Sequence, residues 1–313
     1  MRLHTPLDLR VEDVDYPLPG EDEVVLKVIR ASVCNGSDAA LYSGRRVREV
    51  AYPWMELPWI MGHECAGEIV EVGRNVKDFR VGDRVASMKY GNAFAEFQSA
   101  PVDRIYPVPD GMSYDHATFI EPIFATYAFM GNVRKGDSVI VCGVGPSGNL
   151  LVQESLAVGA AKVCAIDLHD MRLEKAREVG AALTINASAG DPEEEIREKF
   201  GRVDVFIDAT GFDVYDLAAR VLRPGGRLVM YGVPDSGVRY NGTRAFFKGI
   251  RFCGGDKSDR MGTTAEALGH VQRGAIRLEA FTTHHFTLDD MPRVMELVLN
   301  RPGEALGVII DIG

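Results

Sequence analysis

The stretch "KGDSVIVCGVGPSGNLLVQESLAVGA", residues 135–160, decides the fold. It opens on an apolar run that ends at Cys142, turns through glycines and enters a helix-like segment. An apolar run without alternation suits a strand buried on both faces, and such strands build parallel sheets covered by helices. The turn "GVGPSG" is a G-x-G-x-x-G made by Gly143, Gly145 and Gly148, with Pro146 and Ser147 inside it. Alone the pattern is weak. Between a strand and a helix, each glycine has a reason. Gly143 allows the tight turn, Gly145 lets backbone approach a pyrophosphate, and Gly148 lets helix and strand pack closely. The helix N-terminus then offers N–H groups to the phosphates. Asp167 ends the next strand, where an acid hydrogen-bonds an adenosine ribose and repels a 2′-phosphate, so NAD is favoured over NADP. A glycine turn in some other α/β protein is the competing reading.

Outward from this loop, strands and helices alternate. "KVCAIDL", "VDVFIDATG" and "GRLVMYGV" read as buried strands, and "DMRLEKAREVGA" and "FDVYDLAARVL" as helices. That alternation implies a parallel sheet covered on both faces, assigned to residues 126–269. Residues 1–125 have another texture: short strands such as "EVVLKVIRASV", "GEIVEVG" and "VGDRVAS", punctuated by Gly and Pro, as in a small barrel or sandwich. Residues 270–313 return to this texture and are expected to complete the first domain. The 313 residues suffice for two cores, and the net charge of −10 argues against a nucleic-acid or anionic-membrane partner. No signal peptide and no membrane span are expected. The five cysteines show no CxxC spacing, which fits a reducing, cytoplasmic compartment without a disulfide framework.

Three separated stretches carry chemistry. Cys34 follows a strand in "SVCNGSD", His63 and Glu64 stand in "GHE", and Glu121 is embedded in the apolar "FIEPIF". Each has a plain alternative: Cys34 as a small hydrophobe, His63 as a satisfied core or loop histidine, Glu121 as a favourable acid in a first helical turn. Together, thiolate, imidazole and carboxylate make a typical zinc ligand set with a position left for water or substrate. Asp38 is placed to orient a ligand imidazole. His284 and His285 are adjacent in an extended segment, so they point to opposite faces and are left, with Cys65 and Cys253, as structural.

With these motifs, and with "LRPGGRLVMYGV", the chain resembles the medium-chain, zinc-dependent alcohol dehydrogenase family over nearly its whole length. The resemblance implies an α/β protein: a GroES-like β-barrel catalytic domain plus a Rossmann domain with a doubly wound parallel sheet. It implies Cys34, His63 and Glu121 as zinc ligands, with Glu64 able to exchange onto the metal. Glutamate at 121 resembles the polyol, glucose and threonine dehydrogenase branches. Ser37 matches the hydroxyl that relays the alcohol proton, and Asp38 the acid behind the histidine. Gly143, Gly145, Gly148 and Asp167 match the NAD site, and Gly232 and Val233 backbone positions near the nicotinamide. The implied activity is oxidation of a secondary alcohol, namely a polyol, sugar or amino alcohol, by a homodimer or homotetramer joined through edge strands, with "RFCGGD" as the candidate edge.

The chain departs from the family in three places. Asn35 and Gly36 add a residue between Cys34 and the Ser37-Asp38 pair. No histidine follows Asp38 shortly. No cysteine lies between Cys65 and Cys142, where relatives insert a four-cysteine lobe, so one zinc per subunit and no structural zinc are expected. The stretch from Arg45 to Trp59, with Arg46, Arg48 and Trp54, reads as a solvated loop packed on the barrel. The alternative is a substrate lid whose arginines select anionic or hydroxylated substrates. Two rival functions stay open: a zinc-free quinone or enone reductase, and a non-catalytic NAD-binding protein on the same fold.

Overall fold

The computed structural model describes residues 1–45, 55–234 and 242–313. Arg46, Arg48 and Trp54 therefore lie outside the described residues. The chain divides into two compact units, Met1–Pro122 with Thr282–Gly313, and Ile123–Phe281. The return to the first unit comes later than the change of texture near residue 270. The helix Arg260–Gln272 and the buried Ile276, Leu278 and Phe281 still belong to the second unit.

The strands of the first unit begin with β1 (Arg2–Thr5), β2 (Asp8–Arg10), β3 (Glu23–Ser32) and β4 (Trp59–Ile60). They continue with β5 (Glu64–Val72), β6 (Arg84–Ser87), β7 (Phe97–Pro101) and β8 (Ile105–Pro107). The second unit contributes β9 (Ser138–Cys142), β10 (Lys162–Asp167), β11 (Leu183–Asn186), β12 (Val203–Asp208), β13 (Leu222–Met230) and β14 (Arg251–Cys253). Back in the first unit come β15 (Thr282–Thr287) and β16 (Gly307–Asp311).

Among the described residues, the first unit holds a seven-stranded sheet ordered β15-β16-β3-β5-β6-β8, with β7 also on β3. β3 is its spine. Its antiparallel register sets Ser32 opposite Glu64 and Ala31 opposite Cys65. The chain leaving β3 therefore arrives beside the chain entering β5, which brings Cys34 to His63. On the other side β16 pairs with β3 at Ile309↔Ser32, and the Val33 N–H donates to the Val308 carbonyl. The C-terminal strand thus supports the same corner. Gly67 is obligatory in β5, because a Cβ there would lie 1.9 Å from the Lys27 carbonyl oxygen. The core beneath includes Val24, Leu26, Val28, Ile69, Phe94, Val308 and Ile310.

The second unit has a six-stranded parallel sheet ordered β11-β10-β9-β12-β13-β14. Every residue of β9 and β12 is buried, as strands covered on both faces require. The sequence order turns back between β9 and β12, and loops at that switch point are where open α/β sheets bind ligands. The glycine loop leaves β9 there. Burial of Ile140, Phe206 and Leu228 in this core contributes about 1.5–3 kcal/mol each.

Candidate metal centre and dinucleotide loop

The site in the first unit begins with the turn that follows β3. The helix Ser37–Ser43 starts directly behind Cys34, and its Asp38 is fully buried. Asp38 Oδ2 accepts the Cys34 N–H at 2.9 Å, and the Ser37 N–H donates to Cys34 Sγ at 3.4 Å. The turn thus aims the sulfur and supplies it with a donor. The extra residue finds its own anchor: Asn35 Nδ2 donates to the Leu306 carbonyl at 3.1 Å.

Ligand atoms of Cys34, His63 and Glu64 lie within 4.8 Å of one another. His63 is 3% and Glu64 5% exposed, so the donors converge away from water. His63 Nδ1 stands 3.6 Å from Asp38 Oδ1, and Nε2 stands 3.7 Å from Glu64 Oε1. Ser32 Oγ donates to the other Glu64 oxygen at 2.5 Å. Asp38 Oδ1 is buried without a hydrogen-bond partner. A thiol, an imidazole and a carboxylate around one point, with an orphaned acid behind the imidazole, fit a cation.

The electrostatics agree. Burial pushes the Cys34 thiol up, and the Glu64 charge adds to it. Burial likewise raises the Glu64 carboxyl, with His63 opposing and the Glu121 charge reinforcing the rise. For His63 burial pulls downward and is the largest single influence, but the charges of Asp38 and Tyr90 with hydrogen bonding to Asp38 and Cys34 together outweigh it and hold the imidazole well above its usual value. Without a cation the cluster keeps its protons; a bound cation would displace them.

Glu121 is not in the close set. It sits in the first turn of the helix Ile120–Tyr127, half-buried, with its charge felt at Glu64. Ser37 is the first residue of its helix. Of the loop residues that are described, Arg45 Nε donates to Ser43 Oγ at 3.3 Å, and Trp59 belongs to β4. His284 and His285 do not converge: His284 stacks on Phe286, and His285 faces Asp115 at 3.6 Å.

The glycine loop in the second unit is built as its spacing demands. Gly143 has φ +86°, and a Cβ at Gly148 would lie 1.9 Å from the Gly143 carbonyl oxygen. By contrast, a Cβ at Gly145 would meet nothing nearer than Arg172 Nη1 at 3.6 Å. A side chain there would only touch the Arg172 guanidinium in ordinary contact, so the backbone of Gly145 is not walled in as that of Gly148 is. Gly145 caps the helix Pro146–Ala157, with Pro146 in its first turn. Ser147 Oγ accepts from the Tyr231 hydroxyl at 3.0 Å. Asp167 accepts the N–H groups of Val144, Leu168 and His169. Gly232 packs so tightly on Thr210 and Gly211 that its Cβ would lie 2.2 Å from the Gly211 nitrogen, and Val233 beside it is exposed.

Two family models match the chain: an alcohol dehydrogenase GroES-like domain over residues 20–110 and a zinc-binding dehydrogenase domain over residues 146–268. The chain belongs to the zinc-type medium-chain dehydrogenase family. It is an oxidoreductase of the alcohol dehydrogenase type. It is 28% identical to a sorbitol dehydrogenase of Bacillus subtilis, over 98% of this chain and 95% of that protein. It is 25% identical to an L-threonine 3-dehydrogenase of Vibrio cholerae, over 96% and 95%. Among solved structures it superposes on a 2R,3R-butanediol dehydrogenase of Bacillus subtilis with a TM-score of 0.85 and 26% identity, covering 99% of this chain and 98% of that one. Its fold is that of the family: a GroES-like domain with a Rossmann-type sheet. No helix among the described residues is long and apolar enough to cross a membrane.

Within this dehydrogenase, three contacts escaped the sequence reading. Ser32 meets Glu64 only because β3 and β5 pair in this register. Arg172 lies against Gly145, with its Nε buried and without a partner. Tyr90 stacks on His63, ring centroids 4.4 Å apart and planes 9° apart. The arginine had a sequence signal, since it follows Asp167 within one helical turn of "DMRLEK". The tyrosine had none.

Proposed function

We propose that this chain is a zinc- and NAD-dependent dehydrogenase that oxidises a secondary alcohol of the polyol, sugar or amino-alcohol class. The observation that carries the proposal is the convergence of Cys34, His63 and Glu64 within 4.8 Å. In this reading Cys34 and His63 hold the metal, and Glu64 and Glu121 supply carboxylates that exchange in its outer positions. When bound, zinc supplies Lewis acidity at a hydroxyl oxygen and NAD supplies the hydride acceptor. Asp38 holds the His63 ring by its Nδ1 edge, and the Ser37 hydroxyl takes the alcohol proton. Gly143, Gly145, Pro146, Ser147 and Gly148 cradle the pyrophosphate with backbone N–H groups. Asp167 selects the unphosphorylated ribose, and Arg172 faces the same loop. Gly232 and Val233 present backbone to the nicotinamide.

The substrate class rests on likeness to sorbitol, threonine and butanediol dehydrogenases. The family match and the donor cluster weigh against the zinc-free reductase and the non-catalytic reading. The protein acts in the cytoplasm as a homodimer or homotetramer. β14 is the outer strand of its sheet and carries "RFC", with Phe252 41% exposed, which supports edge pairing between copies. The first test is metal content of the purified protein, followed by NADH formation on a panel of polyols, sugars and amino alcohols. About one zinc per subunit and turnover of at least one panel member are expected. Binding of NAD without metal and without turnover would overturn the proposal.

A further inference from the structure

We infer that Tyr90 is a positioning residue for the metal centre: its ring, stacked on His63, fixes the plane of the imidazole before any metal arrives. This rests on the proposed zinc site. Two edges of the imidazole are already assigned, Nδ1 toward Asp38 and Nε2 toward Glu64. At 3.6 and 3.7 Å neither contact is a tight hydrogen bond, so neither pins the ring plane. What they leave open is rotation of the ring out of that plane. A parallel aromatic ring at 4.4 Å closes that freedom.

The turn between β6 and β7 is built to deliver this ring. Gly91 and Asn92 both have positive φ, +85° and +64°, so the chain reverses within two residues of Tyr90. The turn is then laced to the segment that leads into His63. The Asn92, Phe94 and Ala93 N–H groups donate to the carbonyls of Ile60, Met61 and Gly62 at 2.9, 3.0 and 3.4 Å. Gln98, fully buried, donates Nε2 to the Gly91 carbonyl at 2.6 Å. Trp59 packs against Gly91 so closely that a Cβ there would lie 2.3 Å from its Cζ2. Both ends of the stack are thus fixed to one framework. A small cavity at this corner is lined by Asp38, Trp59, His63, Tyr90 and Gly91 among others.

The stacking face of the ring survives in phenylalanine, which gives a conservative control. Zinc affinity is measured by competition with a chromophoric chelator, and the cobalt-substituted protein is read by its visible d–d spectrum. Tyr90→Leu should bind zinc about 10-fold more weakly and shift the cobalt bands, the usual size of an outer support to a ligand imidazole. Tyr90→Phe should match the wild type in both. Wild-type behaviour of Tyr90→Leu, or equal losses in Tyr90→Phe, would overturn the inference. A second measurement needs no variant at position 90. In the metal-free wild type, the His63 ring protons, assigned by their loss in His63→Gln, should be shifted upfield by the tyrosine ring current. Unshifted resonances would overturn it as well. A shifted His63 in a protein that takes up no zinc would instead overturn the metal-centre reading and leave the ring geometry standing.

Discussion

Each of the two units buries a glutamate, and the two are treated differently. Glu64 of the first unit lies at 5% exposure among a thiol, an imidazole, a serine hydroxyl and the charge of Glu121. Glu154 of the second unit is fully buried in the helix Pro146–Ala157. Its Oε1 meets the Thr126 hydroxyl at 2.7 Å, and its Oε2 has no partner. A buried carboxylate needs compensation, and only the first has a ring of groups whose protons a cation can replace. At the second, burial raises the carboxyl with only the Thr126 contact opposing it. Burial alone therefore does not mark a functional acid; convergence of unlike donors does.

The sharpest way to break the contrast is to remove a donor from the first cluster. His63→Ala should lose zinc and lower kcat/KM by at least about 1,000-fold, since Lewis-acid stabilisation is worth several kcal/mol. Metal analysis and steady-state kinetics check it, and retained zinc with near-normal turnover would place the chemistry elsewhere. Asp38→Asn tests the support behind the ring. Its Oδ1 is orphaned beside the imidazole, so zinc affinity should fall by about 10- to 100-fold while the fold survives. An unchanged affinity would mean that Asp38 serves only the Cys34 N–H.

Arg172 sharpens the comparison from the side of the cofactor. Its Nε is another buried orphan, but its guanidinium lies against Gly145 of the glycine loop, and burial lowers the guanidinium pKa. Arg172→Ala should raise KM for NAD by about tenfold, the worth of one charge-assisted hydrogen bond, with little change in kcat. A fall in thermal stability with no change in KM would make it a packing residue.

The parts of the molecule legible in the sequence are those whose signal is local. The glycine loop, the buried strands around it and the helix from Asp170 each depend on neighbours within one turn or strand. The Cys34 and His63 stretches were separately ambiguous and gained meaning only by being read together. What stayed hidden depends on register. Tyr90 looks like a turn residue in "MKYGN", and nothing nearby tells that the turn is laced to Ile60, Met61 and Gly62. Glu64 and Glu121 were both expected at the metal; the close set holds Glu64, which the β3–β5 register sets opposite Ser32, and Glu121 stands outside that set. "VQESLA" reads only as part of the helix after the glycine loop, with three polar residues in a row. Gln153, Glu154 and Ser155 are instead buried, being covered by Arg277, Thr126 and Met130 of the same unit.

That covered face sets the smallest effect. The Thr126 hydroxyl has one proton, and its neighbours include the Ile123 carbonyl at 3.2 Å and Glu154 Oε1 at 2.7 Å. Both contacts are satisfied if Glu154 is protonated and donates to Thr126, which then donates to Ile123. Burial holds the Glu154 carboxyl well above its ordinary value, with the Thr126 contact only partly offsetting it. The folded state therefore binds a proton that the unfolded chain releases near the ordinary glutamate value of 4.5. Stability from this group is complete below that pH and declines as pH rises toward the folded value. Glu154→Gln mimics the neutral acid at every pH and can still donate to Thr126. Relative to the wild type it should be neutral near pH 4 and gain progressively in Tm as pH rises to 8, since each pH unit between the unfolded and folded values is worth about 1.4 kcal/mol. Zinc affinity should not change. A Tm difference that ignores pH would show that Glu154 is charged in the folded state, and the contrast with Glu64 would then need a hidden cation in the second unit as well.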